Sequence, residues 1–170
     1  TVELEHLTAP INTYDSEFGA RIGPDSALYF TSLRGALNPE GEVLEPATYR
    51  TRIFRSKGEG DQWNDPRTLD PISEQGDLAN PTWTLSSQWM LFSLCPDDEP
   101  CRIHYSPFNA TDIIATPLEG LGEAMSTQPM VVRWADREML LFVSDREGGQ
   151  GGTDIWQARL ENGRAVEVYP

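Results

Sequence analysis

Basic residues are scarce in this sequence. Lysine and arginine together number 13 against 27 aspartates and glutamates, a formal net charge of -14 at pH 7. Nucleic-acid affinity comes from cationic side chains neutralising phosphates, so that partner class is disfavoured and none is expected. The same balance disfavours docking to an anionic membrane surface. An acidic surface ordinarily does no more than keep a chain soluble, and it leaves a cation or a basic partner open. No apolar run approaches the ~20 residues of a membrane-spanning helix. No signal-peptide or lipidation motif is visible. The chain begins Thr1-Val2 without Met and reads as a mature or excised segment.

Histidine and cysteine are equally sparse, with two of each. His6 and His104 lie far apart, and His104 sits in an alternating strand where a structural histidine is expected. No Gly-x-Ser-x-Gly elbow, His-Glu-x-x-His pair or phosphate loop occurs, so hydrolase, zinc-protease and nucleotide-binding readings have no motif to rest on. With 27 carboxylates some pairs approach by chance, so paired acids do not by themselves indicate a glycosidase. Cys95 and Cys101 flank the loop Pro96-Asp97-Asp98-Glu99-Pro100 between two strand-like runs. A hairpin disulfide is the expected state and implies an oxidising compartment. A reduced pair of small core residues and a pair of metal ligands are the rival readings; zinc lacks the remaining ligands.

Turn formers and aromatics are plentiful. Thirteen Pro and fourteen Gly suit strands and turns, and five Trp, five Tyr and six Phe supply large surfaces to bury. In a chain of 170 residues that is enough for one domain with a core. The clearest stretch is Met139 to Trp156. An apolar run, Leu140-Leu141-Phe142-Val143, stops at Ser144-Asp145-Arg146; glycines 148, 149, 151 and 152 follow; Asp154-Ile155-Trp156 opens a second run. This is a β-hairpin signal whose glycines allow positive φ.

The hairpin recurs. Ala27–Ser32 and Trp89–Ser93 are further apolar runs, answered by Arg52-Ile53-Phe54-Arg55 and Arg102-Ile103-His104-Tyr105. Ile53, Ile103 and Ile155 are about fifty residues apart. Upstream of each apolar run lies another strand candidate: Phe18–Ile22, Pro81–Leu85 and Pro129–Trp134. A weaker fourth strand closes each unit, at Pro66–Leu69, Asp112–Thr116 and Ala165–Val168. Thr1–His6 reads as one more closing strand. The expected organisation is a closing strand within 1–14, then four-stranded units over 15–70, 77–117 and 125–168. No convincing amphipathic helix is present; the glycines of Leu118–Ala124 argue against one there. Gly35–Tyr49 reads as a long surface loop.

These repeats resemble the TolB-like, WD-like β-propeller repeat: a Pro-containing strand, a Ser-Pro-Asp-Gly turn, an apolar-aromatic strand, Ser-x-Arg, a Gly-rich turn, then Asp-Ile-Tyr. LLFVSDREGGQGGTDIW carries it best, and INTYDSEFGARIGPDSALYFTSLRG, Ile11 to Gly35, carries it again. The wording is similar to propeller segments of OmpA-type periplasmic proteins of Bacteroidetes, the PorE-like group associated with type IX secretion. The resemblance implies an all-β fold that is part of a β-propeller, of about three four-stranded blades. Propellers need about four to eight blades, so the chain is expected to be part of a larger propeller, or to be completed by a second copy as a homodimer. The second repeat departs from the pattern, with Leu94-Cys95 after Ser93. The third has Ala135-Asp136-Arg137-Glu138 as its turn.

The resemblance further implies a non-catalytic protein–protein interaction scaffold, periplasmic or at the cell surface and associated with the outer membrane. Its partners would be cell-envelope or secretion components, with no cofactor and no membrane span. The alternatives are a propeller hydrolase acting on glycans or peptides, and a calcium- or small-ligand-binding module. Gly148–Asp154 falls one position short of a calcium nonapeptide. Asp97-Asp98-Glu99 offers an acidic tip, for which a solvated loop is expected. Asn109-Ala110-Thr111 is a glycosylation sequon of high chance frequency. The candidate site residues are Arg34, Asp145, Arg146 and Asp154. They either lock hairpins, through an arginine–aspartate ion pair, or face a partner.

Overall fold

The computed structural model describes residues 4, 6–34, 49–60, 62–69, 76–110 and 112–170. Among these there is no helix, and the chain is all-β. The first sheet runs β1 (Glu17–Ile22), β2 (Leu28–Ser32), β3 (Arg52–Ser56) and then β6 (Arg67–Thr68). A small hairpin, β4 (Gly58–Glu59) and β5 (Gln62–Trp63), is inserted before β6. The second sheet is β7 (Asp77–Trp83), β8 (Trp89–Cys95), β9 (Arg102–Pro107) and β10 (Thr116–Pro117). The third is β11 (Ser126–Trp134), β12 (Arg137–Ser144), β13 (Asp154–Glu161) and β14 (Arg164–Tyr169). Every pairing is antiparallel, and in each sheet spatial order follows chain order.

The three sheets repeat one another in detail. The central cross-strand pair is aromatic each time: Phe30 opposite Phe54, Phe92 opposite His104, Phe142 opposite Trp156. Each first strand carries a bulge at the same place, and the residue there has positive φ: Gly19, Asn80 and Gln128. Such a bulge re-aims the strand at the cost of one unpaired residue.

Alternation along the second strands directs the packing. Tyr29 and Ile53 of the first sheet meet Leu78, Met90, Phe92 and Leu94 of the second. Leu91 and Ile103, on the opposite face of the second sheet, meet Leu140, Phe142, Trp156 and Ala158 of the third. Leu28 and Phe30, on the far face of the first sheet, pack with Ile11 and Leu7. The joints between sheets are also hydrogen-bonded in register. The Asn80 N–H donates to Thr31 Oγ1 at 2.9 Å, and the Gln128 N–H donates to Ser93 Oγ at 2.9 Å. Likewise Leu78 N–H reaches Thr51 O at 3.0 Å, and Ser126 N–H reaches Cys101 O at 2.8 Å.

Most expected strands lie where the pattern put them, with ends displaced by a few residues. Asp112–Thr116 differs: the strand is only Thr116–Pro117. Ile113 N–H donates to Leu69 O of the first sheet, and Ile114 N–H to Ser106 Oγ. The segment is thus drawn across the joint instead of along β9. The expected strand at Thr1–His6 lies mostly outside the described residues, and Leu4 and His6 are not in a strand. The loop Gly35–Tyr49 lies outside them except for an exposed Tyr49. Thr111 of the sequon also lies outside them.

Among the described residues no further sheet packs on the outer face of the third sheet. Leu141 and Val143 alternate with the buried Leu140 and Phe142, and lie opposite Met130, Gln157 and Ile155. Ile155 and Trp134 are each 72% exposed, and Met130 and Tyr169 are exposed beside them.

Phe92→Ala is expected to lower stability by about 3–5 kcal/mol. Ile155→Ala is expected to stay within about 0.5 kcal/mol. Urea unfolding followed by tryptophan fluorescence checks both.

Candidate functional site

Ser-x-Arg occurs in the first and third sheets and builds the same structure in both. Arg34 Nε donates to Ser32 Oγ at 2.9 Å, and Arg146 Nε donates to Ser144 Oγ at 2.9 Å. Each guanidinium lies over the aromatic pair of its sheet. Arg34 is 5.4 Å from the Phe30 ring centre and 4.7 Å from Phe54; Arg146 is 4.8 Å from Phe142 and 5.3 Å from Trp156. The outer nitrogens then reach backbone carbonyls of the segment leading into the sheet: Ile11 O at 2.7 Å for Arg34, and Leu121 O at 3.1 Å for Arg146. A planar fork can stack and donate in several directions at once, which a lysine cannot do. These arginines clamp the incoming chain onto the sheet.

The expected arginine–aspartate lock is not what forms. Arg146 makes no ion pair with Asp154 or Asp145; Leu121 O and Ser144 Oγ hold it. Asp145 is exposed and accepts the Met125 N–H at 3.0 Å. Asp154 instead accepts the N–H groups of Gln150 and Gly151, at 2.8 and 3.0 Å, and so closes the turn from within. Of the four glycines only Gly148 takes positive φ, and Gly149 lies against the Asp154 carboxylate. Arg34 does form an ion pair, with Glu17 at 3.3 Å. Burial raises the Glu17 carboxyl, but hydrogen bonds from Thr13 and Ser32 and the Arg34 charge outweigh it and hold it below the usual carboxylate range.

The second sheet has no such arginine; Pro96 stands at its place. There the hairpin end is closed by the Cys95–Cys101 disulfide, with Cα atoms 4.0 Å apart. His104 fills the aromatic position, stacked on Phe92 at 6.3 Å, and burial depresses its imidazole below the ordinary value. At the loop tip Asp97 is engaged by a two-pronged contact from Arg50, at 2.9 and 2.5 Å. Among the described residues no group of three or more His, Cys, Asp or Glu is placed to hold a metal.

Among the described residues, clefts of similar size open between the first and second sheets and between the second and third, and another of about 310 Å³ lies where Gly19, Arg21 and Asn80 approach Leu141, Val143 and Ile155; the sequence pointed to none of them. The first, about 290 Å³, contains Asp25, Tyr29 and Arg55. Arg55 Nε donates to Asp25 Oδ2 at 2.9 Å and to the Tyr29 hydroxyl at 3.1 Å. Burial, then the Asp25 charge, pushes the Tyr29 phenol up to about 12. The second cleft, about 300 Å³, is lined by Trp89, Tyr105 and Glu138 over Leu91, Leu118 and Leu160. The hairpin register held one usable signal, since Tyr29 lies directly opposite Arg55. Nothing local ties Glu138 to Trp89, which lies on a different sheet.

Among the described residues, every carboxylate with a displaced ionisation is displaced downward, and each has an arginine against it: Glu17, Asp25, Asp97, Glu123 and Glu167. These are ion-pair environments, whereas a proton donor needs a raised value.

Arg146→Ala is expected to cost about 2 kcal/mol, through loss of the aromatic stacking and the carbonyl clamp, and Arg146→Lys about half that. Chemical denaturation measures both. Tyr29 is held neutral by folding, so its contribution is complete below the ordinary phenol value of 10.0 and is lost as the pH rises toward about 12. Tyr29→Phe is expected to remove that part of the alkaline stability loss, as read from denaturation midpoints across the window.

No family model, no curated protein and no solved structure matches this chain.

Proposed function

We propose that this chain is part of a β-propeller that acts as a non-catalytic protein–protein interaction scaffold. The observation that carries the reading is the uncovered apolar face of the third sheet. In the first two sheets the matching face is covered by the next sheet: Thr31 and Ser93 receive backbone N–H groups from it, and Tyr29 and Leu91 pack beneath it. Leu141 and Val143 stand at those same places in the third sheet. They lie beside an Ile155 that is 72% exposed. Burying a large apolar side chain contributes about 1.5–3 kcal/mol, so such a face favours a further sheet of the same kind. That sheet would belong either to a longer propeller or to a second copy of this chain.

The scaffold reading is supported by what the polar side chains do. The arginines clamp linkers, and the carboxylates with displaced ionisation sit in ion pairs. An oxidising compartment, periplasmic or at the cell surface, accords with the disulfide. Cell-envelope or secretion components are the proposed partners. A calcium site at the acidic tip is less favoured, since Arg50 already occupies Asp97.

The wild-type chain is expected to self-associate in analytical ultracentrifugation or, as a monomer, to take up the apolar dye ANS. Ile155→Lys is expected to abolish either behaviour with little change in melting temperature. A monomer that takes up no dye would overturn the reading, as would robust hydrolysis of a glycan or peptide that is lost on changing one carboxylate. Separately, replacing Cys95 and Cys101 by Ala is expected to lower stability by about 2 kcal/mol, the entropy of so short a loop. Denaturation with and without reductant checks this.

A further inference from the structure

We propose that the cleft between the second and third sheets binds an arginine side chain presented by a partner polypeptide. This rests on the interaction-scaffold reading and names what the partner offers at one site.

The two inter-sheet clefts occupy corresponding places. Leu69 and Leu118, one in each, donate their N–H groups to Ile53 O and Ile103 O, at 3.0 and 2.9 Å. By the same register Tyr29 corresponds to Leu91, and Arg55 to Tyr105. In the first cleft the protein supplies its own cation. The Arg55 guanidinium lies 5.9 Å from the centre of the Tyr29 ring and is hydrogen-bonded to Asp25 and to the Tyr29 hydroxyl.

The second cleft holds the complementary groups without the cation. Tyr105 stands where Arg55 would be and meets Trp89 edge to face, with ring centres 5.1 Å apart. The acid is Glu138, contributed by the third sheet. Its Oε1 accepts the Leu85 N–H, and among the described residues nothing donates to its second oxygen. Leu91, Leu118 and Leu160, all buried, form the floor. Among the described residues no lysine or arginine lines this cleft. Arg133 is the cross-strand neighbour of Glu138, but it is exposed and forms no ion pair with it.

The chemistry selects the ligand. A guanidinium is planar, stacks on indole and phenol rings, and donates in a fork to one carboxylate. Its aliphatic stem suits the leucine floor. A metal ion would need several oxygen ligands, and one carboxylate does not supply them. The net charge of -14 draws basic segments toward the protein before contact.

The test is an NMR titration of the whole chain with acetyl-glycyl-arginyl-glycinamide, and with the citrulline analogue, which has the same shape but no charge. The Leu85 amide, which donates to Glu138, and the Trp89 indole N–H are the reporters. Saturable shifts at both are expected with the arginine peptide, and a loss of binding of at least about tenfold with citrulline. Glu138→Gln keeps an acceptor for Leu85 but removes the charge, and is expected to weaken binding by about tenfold with the melting temperature unchanged. Absence of shifts at millimolar peptide, equal binding of citrulline, or indifference to Glu138→Gln would overturn the site. Dye uptake or self-association at the third sheet, measured separately, would then still stand for the scaffold reading.

Discussion

β8 is buried on both of its faces. Met90, Phe92 and Leu94 press on the first sheet while Leu91 presses toward the third, and each is less than a tenth exposed. A strand of this kind cannot be stable in a lone sheet, because one face would always be wet. The requirement propagates through the chain. Each second strand needs a sheet before it and a sheet after it, and that need sets the stacking of the three units. It also explains why no helix is required: face-to-face sheets bury one another.

Apolar burial alone would let the sheets slide. The joints prevent this with polar contacts that have a single correct register. A bulge turns one backbone N–H out of its own sheet, and a hydroxyl of the preceding sheet accepts it: Thr31 for Asn80, and Ser93 for Gln128. An unpaired N–H buried at a joint would cost about 1–3 kcal/mol, against about 1 kcal/mol that the bond contributes, so misregistered stacking is penalised more than correct stacking is rewarded. The bulge also explains the unusual backbone. Asn80 and Gln128 accept positive φ because the joint needs their N–H groups, and Gly19 adopts the same conformation at the same place. The third sheet has Val143 where the earlier sheets have hydroxyls. A sheet placed against Val143 would find no hydroxyl there to accept such a hydrogen bond.

The sheet architecture was legible because it rests on short-range signals. The apolar runs Leu28–Ser32 and Trp89–Ser93 express burial directly, and the fifty-residue spacing of Ile53, Ile103 and Ile155 marks the repeat, although Ile155 is exposed where the other two are buried. Ser-x-Arg was recognisable as a repeated element, and so was the cysteine pair. Their partners were harder to read. Arg146 was expected to meet an aspartate from its own hairpin, but it meets Leu121 O, twenty-five residues upstream. A backbone carbonyl has no signature in sequence, and only the path of the linker brings it within reach. The same limit hid both clefts. Glu138 and Trp89 come from different sheets, and their meeting depends on how the sheets stack, which no local pattern encodes.

The exceptions to the repeat show which of its parts are structural requirements. Where Ser-x-Arg is absent, a disulfide closes the same hairpin end; where Phe54 and Trp156 have counterparts, His104 stacks in their place as a neutral ring. These substitutions preserve a closed hairpin and a flat ring over phenylalanine by different chemistry. The clefts behave differently. Replacing Arg55 by Tyr105 preserves neither charge nor hydrogen bonding, and the acid moves from the turn of one sheet, at Asp25, to the strand of the next, at Glu138. A position under purely structural demand should keep its interaction when its residue changes, as the hairpin ends do. The second cleft has aromatic walls and a carboxylate but, among the described residues, no internal cation. That pattern separates a packing solution from a receptive one.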